Sequence, residues 1–514
     1  MKVETYEKVV NIPANRVEGD LEVKVAFENG AVSEAWSAGI MFRGIENILV
    51  GRAAMDALVL TSRICGLCSV SHLTAAARAL DMISGAKVPD NGKRLRNVCL
   101  MTEHIQGDMR HGFLMFTADF VNPAYKDLPL YDEAVRRYEP FKGETVIEAI
   151  KETKRAVEII AILGGQWPHS AFMVPGGVAW NPTPGDLLQC RNLLGRYRQW
   201  YEERVLGCSL DRWRQVKSAS DLDAWLKESD VHRDSDLGFY IRFSRQAGLD
   251  RIGKGYGNFL SYGSLPMPDR TSISVNGKGP QLTPAGFAEG TKGRPFDEKK
   301  VSEHVTHSWF RDYEGGRHPF EGETKPYATG GEAEKYSWAK APRYDGAPAE
   351  TGPLAERMVA GDPLFTDLAG KDGPNVFVRE LARLLRPATL MPAMDTWLRE
   401  MMQDHGPYYV KPGEIKDGQG CGLVHAARGA LGHWVKVEDG KIKHYQVITP
   451  TAWHASPRDS QLRRGPWEEA LVGTKVRDVE NPVEVGHVLR SYDPCMVCCV
   501  HTLRKGRPSG KVRV

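Results

Sequence analysis

The chain has 514 residues, 41% of them hydrophobic and 26% charged, which is enough apolar material for a large core and excludes a disordered or fibrous polypeptide. Its net charge of +3, from 68 basic and 65 acidic side chains, gives no electrostatic case for nucleic acid or a membrane surface as partner. No apolar run approaches the ~18 residues of a membrane span, and the first seven residues mix charges without the apolar stretch of a secretory signal. The expectation is a cytoplasmic chain with no transmembrane segment, associated with a membrane only through partners.

Residues 3–35 read as strands. Leu21, Val23, Val25 and Phe27 alternate with Glu22, Lys24, Ala26 and Glu28, and Asn29-Gly30 marks a turn. A helical pattern runs through Leu73–Leu80, and a second from about Thr145 to Leu163, ended by Gly164-Gly165. Residues 270–375, rich in Gly, Pro, Lys and Glu, read as long loops and small strands in the manner of a surface insertion. A helix resumes at Val376–Leu385. Asp439-Gly440 separates two alternating runs between Trp434 and Ile448, which predicts a hairpin. No internal repeat or long low-complexity segment is present.

The nine cysteines are an odd number in a large chain, which does not suit a disulfide scaffold. Five of them fall in two clusters, Cys65-Gly66-Leu67-Cys68 and Cys495-Met496-Val497-Cys498-Cys499. A C-x-x-C spacing lets two thiolates reach one metal, and two such pairs supply four soft ligands suited to zinc, iron–sulfur, or nickel and iron. Spacing alone leaves a structural zinc site of four cysteines open. Zinc ribbons, however, set their pairs ~15–20 residues apart, whereas these pairs stand near opposite ends of the chain. The whole fold must bring them together, which makes sense for a buried reactive centre. Cys499, outside the motif, reads as a buried structural thiol.

The flanking residues carry a resemblance. Arg63-x-Cys65-Gly66-x-Cys68-x-x-x-His72 and Asp493-Pro494-Cys495-x-x-Cys498-x-x-His501 resemble the N- and C-terminal signatures of nickel–iron hydrogenase large subunits. Further blocks fit in family order: Arg16–Gly19, Met41–Glu46, Gly164–His169, Pro175–Gly177, Ala426–Gly429 with His433-Trp434, and Thr449–Thr451 with Pro457–Asp459. The resemblance spans residues 16–501. It departs from the common pattern at His425-Ala426-Ala427-Arg428-Gly429, where the family often has Glu-Ala-Pro-Arg-Gly, and at Gln106–His111, where a His-rich run is common. The run Cys65–His72 looks most like the cytosolic uptake and hydrogen-sensing branch.

The residues alone support a mixed α+β fold. The resemblance implies a mostly helical one, with a central helix bundle and smaller α/β parts, in a single large-subunit domain over residues 1–501. It implies heterolytic cleavage of dihydrogen into protons and electrons, with a hydrogen-sensing regulatory role as the alternative. Cys65 and Cys495 would be terminal nickel ligands, and Cys68 and Cys498 would bridge nickel to an iron carrying cyanide and carbon monoxide. Glu18 matches a proton-transfer glutamate, although a lone carboxylate beside Arg16 also reads as a plain salt bridge. Arg428 matches an arginine poised over the open metal position, or an ion pair with Asp493. His72 would hydrogen-bond a bridging sulfur, and Thr451 a cyanide. Glu46 and His501 match ligands of a structural magnesium. The implied partners are an iron–sulfur small subunit, nickel-insertion machinery and a maturation protease that removes Thr502–Val514, with the heterodimers in a higher oligomer.

Overall fold

Alternation at the start of the chain produces an antiparallel meander of β1 (Lys8–Pro13), β2 (Leu21–Glu28) and β3 (Ala31–Gly39) in the computed structural model, which describes residues 6–17, 19, 21–273, 281–329 and 334–495. Val23, Val25 and Phe27 are buried while Lys24 and Glu28 are exposed, as a period of two requires, but Ala26, expected on the outer face, is buried as well, at the register irregularity between Ala26 and Phe27. Asn29 (φ 51°) and Gly30 (φ 71°) make the two-residue turn with left-handed backbone that matches strand twist.

The helical centre consists of α1 (Ser69–Ser84), α2 (Asp90–Arg110), α3 (Pro184–Trp200), α4 (Pro353–Ala360) and α5 (Val376–Gln403). Helix α5 packs on α2, α3 and α4. It carries Pro387 and Pro392 in its interior, each of which removes one helical N–H donor, and close by the carbonyls of Leu384 and Leu385 accept from the Tyr201 hydroxyl and Arg357 Nη2. The expected helix from Thr145 to Leu163 is two helices, Glu144–Ala156 and Glu158–Gly164. They meet at Val157, whose carbonyl is shared between a tighter bond from Ile160 N–H (3.0 Å) and the α-helical one from Ala161 N–H (3.2 Å). Within 270–375 lie the strands Gln281–Glu289, Lys292–Arg294, Val301–His304 and Ala341–Tyr344, and two helices the pattern reading did not predict, α4 and Pro363–Asp372. Both begin with proline at the first helical position, and the second is also capped by the preceding Asp362, whose side chain accepts from Leu364 N–H.

Two three-stranded antiparallel sheets flank this centre: β4 (Asn258–Pro266), β5 (Gln281–Glu289) and β6 (Lys292–Arg294), and β7 (Gly418–Ala426), β8 (Gly429–Glu438) and β9 (Lys441–Ile448). The Asp439-Gly440 hairpin joins β8 to β9 as its sequence predicts. Strand β7 lies directly against α1. The contact is possible because α1 presents Ala75, Ala76 and Ala79, and β7 answers with Gly420 and Gly422. A Cβ on Gly422 would stand 1.7 Å from the Ala75 carbonyl oxygen. Small residues on both sides thus bring the start of α1 and the end of β7 to one place.

Against β3 packs the short helix Pro466–Leu471, whose Glu468 is fully buried. Its Oε1 accepts from Ser37 N–H (2.9 Å) and the Tyr336 hydroxyl (2.8 Å). Burial pushes this carboxyl up to about 7 from the usual 4.5, against the pull of Ser37 N–H, Arg458 and Tyr336. The folded chain therefore holds this proton more tightly than the unfolded one. The associated stability is full at low pH and declines as pH rises from about 4.5 to about 7. Glu468→Gln keeps the acceptor oxygen and removes the titration. Between pH 4.5 and pH 8 its stability relative to wild type is expected to rise by about 1–3 kcal/mol, read as a gain of about 1–3 °C in relative Tm for a chain of this size. A pH-independent Tm difference would contradict the assignment.

Candidate metal centre

Cys68 is the N-cap of α1, and Cys65 lies in the turn just before it. The helix start has no local side-chain cap. Instead the buried carboxylate of Glu103, from α2, accepts from Val70 N–H (2.8 Å), Ser71 N–H (2.9 Å) and the Ser71 hydroxyl (2.6 Å). Burial pushes Glu103 up to about 7 against these donors, and the charge of Cys65 adds to the rise. The first C-x-x-C pair is thus fixed to the helix bundle.

The other end of the chain arrives through α7 (Val483–Ser491), followed by Asp493 with φ 53° and Cys495. Cys495 N–H donates to Thr451 Oγ1 at 2.9 Å, and Thr451 belongs to the short helix α6 (Pro450–His454). Cys65, Cys68 and Cys495, each no more than 2% exposed, share a buried apolar cluster with Ala75, Val424, Ala426 and Leu431. The Sγ atoms of Cys65 and Cys495 are 3.6 Å apart. That is too far for a disulfide and close to the ~3.7 Å expected of two sulfurs that each bind one tetrahedral metal at ~2.3 Å.

Arg428 occupies the two-residue turn between β7 and β8 and forms an ion pair with Asp493 (Nε to Oδ1, 3.1 Å). Burial works to lower its pKa, but the charges of Asp493, Cys495, Cys68 and Cys65 hold it well above the ordinary arginine value. Burial would likewise raise Asp493, yet Arg428, His111 and Arg383 keep its carboxyl below the usual range. The guanidinium is a permanent cation facing the thiol cluster.

His72, one helical turn beyond Cys68, lies 3.0 Å by Nδ1 from His433 Nε2, and His433 Nδ1 lies 2.8 Å from the Tyr445 hydroxyl. Burial pulls His72 down to about 4, against the charge of Cys65, so the ring is neutral at pH 7. Its Nε2 is buried with no hydrogen-bond partner among the described residues. A metal-bound sulfur would satisfy it.

Glu46 lies elsewhere, in the first turn of Ile45–Leu49. Its Oε1 accepts from Val447 N–H (2.8 Å) and Gln446 Nε2 (2.5 Å), and its Oε2 from the Thr324 hydroxyl. Lys340 stands 4.0 Å from Glu46 and 3.7 Å from the buried Glu303. Glu303 Oε2 and Gln446 Oε1 are buried without a hydrogen bond among the described residues. This oxygen-rich pocket fits a hard cation.

The structure thus brings Cys65, Cys68, Cys495, Arg428, Asp493, His72 and Thr451 together. Glu18, Cys498, Cys499, His501 and the tail 502–514 lie outside the described residues. Sequence reading gave no role to Glu103, Asp108, Glu356 or Arg386, because no motif marks them. The departure from a His-rich pattern at Gln106–His111 was the only hint.

The sequence profile of the nickel-dependent hydrogenases matches residues 43–127 and 237–501. The chain is 32% identical over 524 residues to the periplasmic NiFeSe hydrogenase large subunit of Desulfomicrobium baculatum, covering 96% of this chain and 94% of that protein. It is 27% identical over 612 residues to the uptake hydrogenase large subunit of Rhodobacter capsulatus, covering 99% and 97%. The reduced, active Ni-Fe-Se hydrogenase from Desulfomicrobium baculatum superposes with a TM-score of 0.81 at 30% identity, covering 96% of this chain and all of that one.

Proposed function

We propose that this chain, which belongs to the nickel-dependent hydrogenase family and is a catalytic large subunit acting on dihydrogen, works in the uptake direction and hands electrons to a small subunit that carries iron–sulfur clusters. The observation that carries the reading of the site is the buried pair of Cys65 and Cys495 sulfurs, 3.6 Å apart, facing the Arg428 cation. When bound, the nickel–iron centre, with cyanide and carbon monoxide on iron, supplies the Lewis acidity that polarises dihydrogen. Cys65, Cys68, Cys495 and Cys498 would hold that centre through their thiolates. A thiolate takes the proton first, and Glu18 carries it outward. Arg428 supplies fixed positive charge at the open side of the site. Thr451 accepts from Cys495 N–H through its oxygen, which leaves its own O–H to donate toward a cyanide. Glu46 and His501 would hold a structural magnesium.

Metal analysis and infrared spectroscopy of the purified heterodimer test this reading. Nickel and iron with cyanide and carbon monoxide bands, together with dihydrogen-driven dye reduction, are expected. Zinc in the four-cysteine site, or turnover only as a slow signal, would replace the uptake reading with one of its alternatives. Glu18→Gln is expected to leave the metals bound and to stop hydrogen–deuterium exchange with water, because glutamine cannot carry a proton at neutral pH. Exchange at the wild-type rate would remove Glu18 from the relay.

Maturation is part of the proposal. After nickel insertion a protease cuts behind His501 and frees Thr502–Val514. The tail holds five basic and no acidic residues, which suits it poorly to a place beside the buried Cys495, and the family profile match ends at residue 501. Intact-mass measurement of nickel-loaded enzyme is expected to end at His501; a chain reaching Val514 would refute cleavage. No described helix is long and apolar enough to cross a membrane. A cytoplasmic location and an oligomer of heterodimers complete the proposal, to be checked by fractionation and native mass.

A further inference from the structure

We infer that Arg386, together with the two carboxylates that hold it, Asp108 and Glu356, is a positioning residue for Arg428. The inference rests on the role given to Arg428 above. Arg428 stands on a two-residue turn, so its guanidinium can be no better placed than the main chain beneath it. Arg386 Nη2 donates to the Ala427 carbonyl at 2.6 Å, directly beside Arg428. The same guanidinium is gripped by Asp108 through two bonds (Nε to Oδ2, 2.9 Å; Nη2 to Oδ1, 2.6 Å) and by Glu356 through a third (Nη1 to Oε1, 2.9 Å). A planar fork held on two edges has no freedom to swing, so the direction of its remaining bond to Ala427 is fixed.

The other side of the turn is held as well. The His425 carbonyl lies 2.9 Å from His104 Nε2. His425 Nε2 accepts from Tyr262 N–H at 3.2 Å, which places the ring proton on Nδ1, and Nδ1 lies 2.8 Å from Glu356 Oε1 in a bent contact. The carbonyls of residues 425 and 427 are thus fastened to α2 and α5. A Cβ on Gly107 would stand only 3.1 Å from Ala427 Cβ, so α2 also stops the turn from moving inward.

A single carboxylate would suffice to neutralise a buried arginine. Here Arg386 and Asp108 are buried at 2% and 0% exposure, and Glu356 is added at 9%. Two anions on one cation carry a desolvation cost that neutralisation does not explain. Orientation of the Ala427 turn does explain it. The Glu356–His425 contact is special to a chain with histidine at 425.

The test uses purified, metal-loaded heterodimer. Asp108→Asn removes one arm of the fork at nearly constant shape. The expected result is nickel and iron content as in wild type, unchanged KM for dihydrogen, kcat lowered about tenfold, and displaced cyanide and carbon monoxide infrared bands. In an Arg428→Lys background the same substitution is expected to add no further loss, because it acts through Arg428. Wild-type kcat and bands in Asp108→Asn, or a fully additive loss in the double variant, would overturn the inference. If Asp108→Asn fails to load metal, Glu356→Gln decides by the same bands and kcat, since it keeps the oxygen facing Arg386 and removes only the charge. A wild-type enzyme without nickel and iron would instead overturn the reading of the site itself.

Discussion

A Cys65→Ser chain is expected to fold, to contain no nickel and to show no dihydrogen turnover. The substitution is nearly isosteric, and Cys65 sits in an apolar cluster with Ala75, Val424 and Leu431, so the cost to the apo fold is small. The cost to the metal is large. A serine hydroxyl is a hard donor that stays protonated at neutral pH, where the site calls for a soft anion. The bond lengths also fail, because the 3.6 Å separation from Cys495 is set for two sulfurs and not for an oxygen and a sulfur. Metal analysis and circular dichroism on the same preparation separate loss of metal from loss of fold. Full nickel with full activity in this variant would sink the thiolate site, and the same expectation holds for Cys498→Ser.

Much of this site is written locally in the chain. The C-x-x-C pair at 65–68 sits where a helix pattern begins, and α1 starts there. The Asp439-Gly440 hairpin forms because an aspartate and a glycine accept the left-handed backbone that strand twist demands. What could not be read locally is what depends on distant partners. In α5, Arg379, Arg383 and Arg386 recur at helical spacing and look like a solvated stripe. They are buried because Glu350, Glu380, Asp108 and Glu356 meet them, all but Glu380 from other elements. Glu103 caps a helix that begins more than thirty positions earlier, so no capping pattern announces it. The closeness of α1 and β7 comes from alanines and glycines that periodicity treats as neutral. The long-range term, burial of charge against charge, decides these positions, and it has no signature in spacing.

Arg428→Lys is expected to leave nickel and iron in place and to lower kcat about 100-fold, which corresponds to about 2.7 kcal/mol of lost transition-state stabilisation. Lysine keeps the charge, so the electrostatic field of the thiolates and Asp493 remains satisfied and the fold should hold. The geometry is what changes. The guanidinium is planar, its Nε lies 3.1 Å from Asp493 Oδ1, and the charges of Cys495, Cys68 and Cys65 act on the same group. An ammonium on a flexible stem is a point charge that can lean on Asp493 or reach the metal side, and it cannot hold both positions at once. The loss therefore belongs to a group that must be pre-placed when charge develops, and it appears in kcat with little change in KM for dihydrogen. Steady-state turnover and metal content measured on one sample decide the matter. Wild-type kcat in the lysine variant would reduce Arg428 to a structural counter-ion of Asp493.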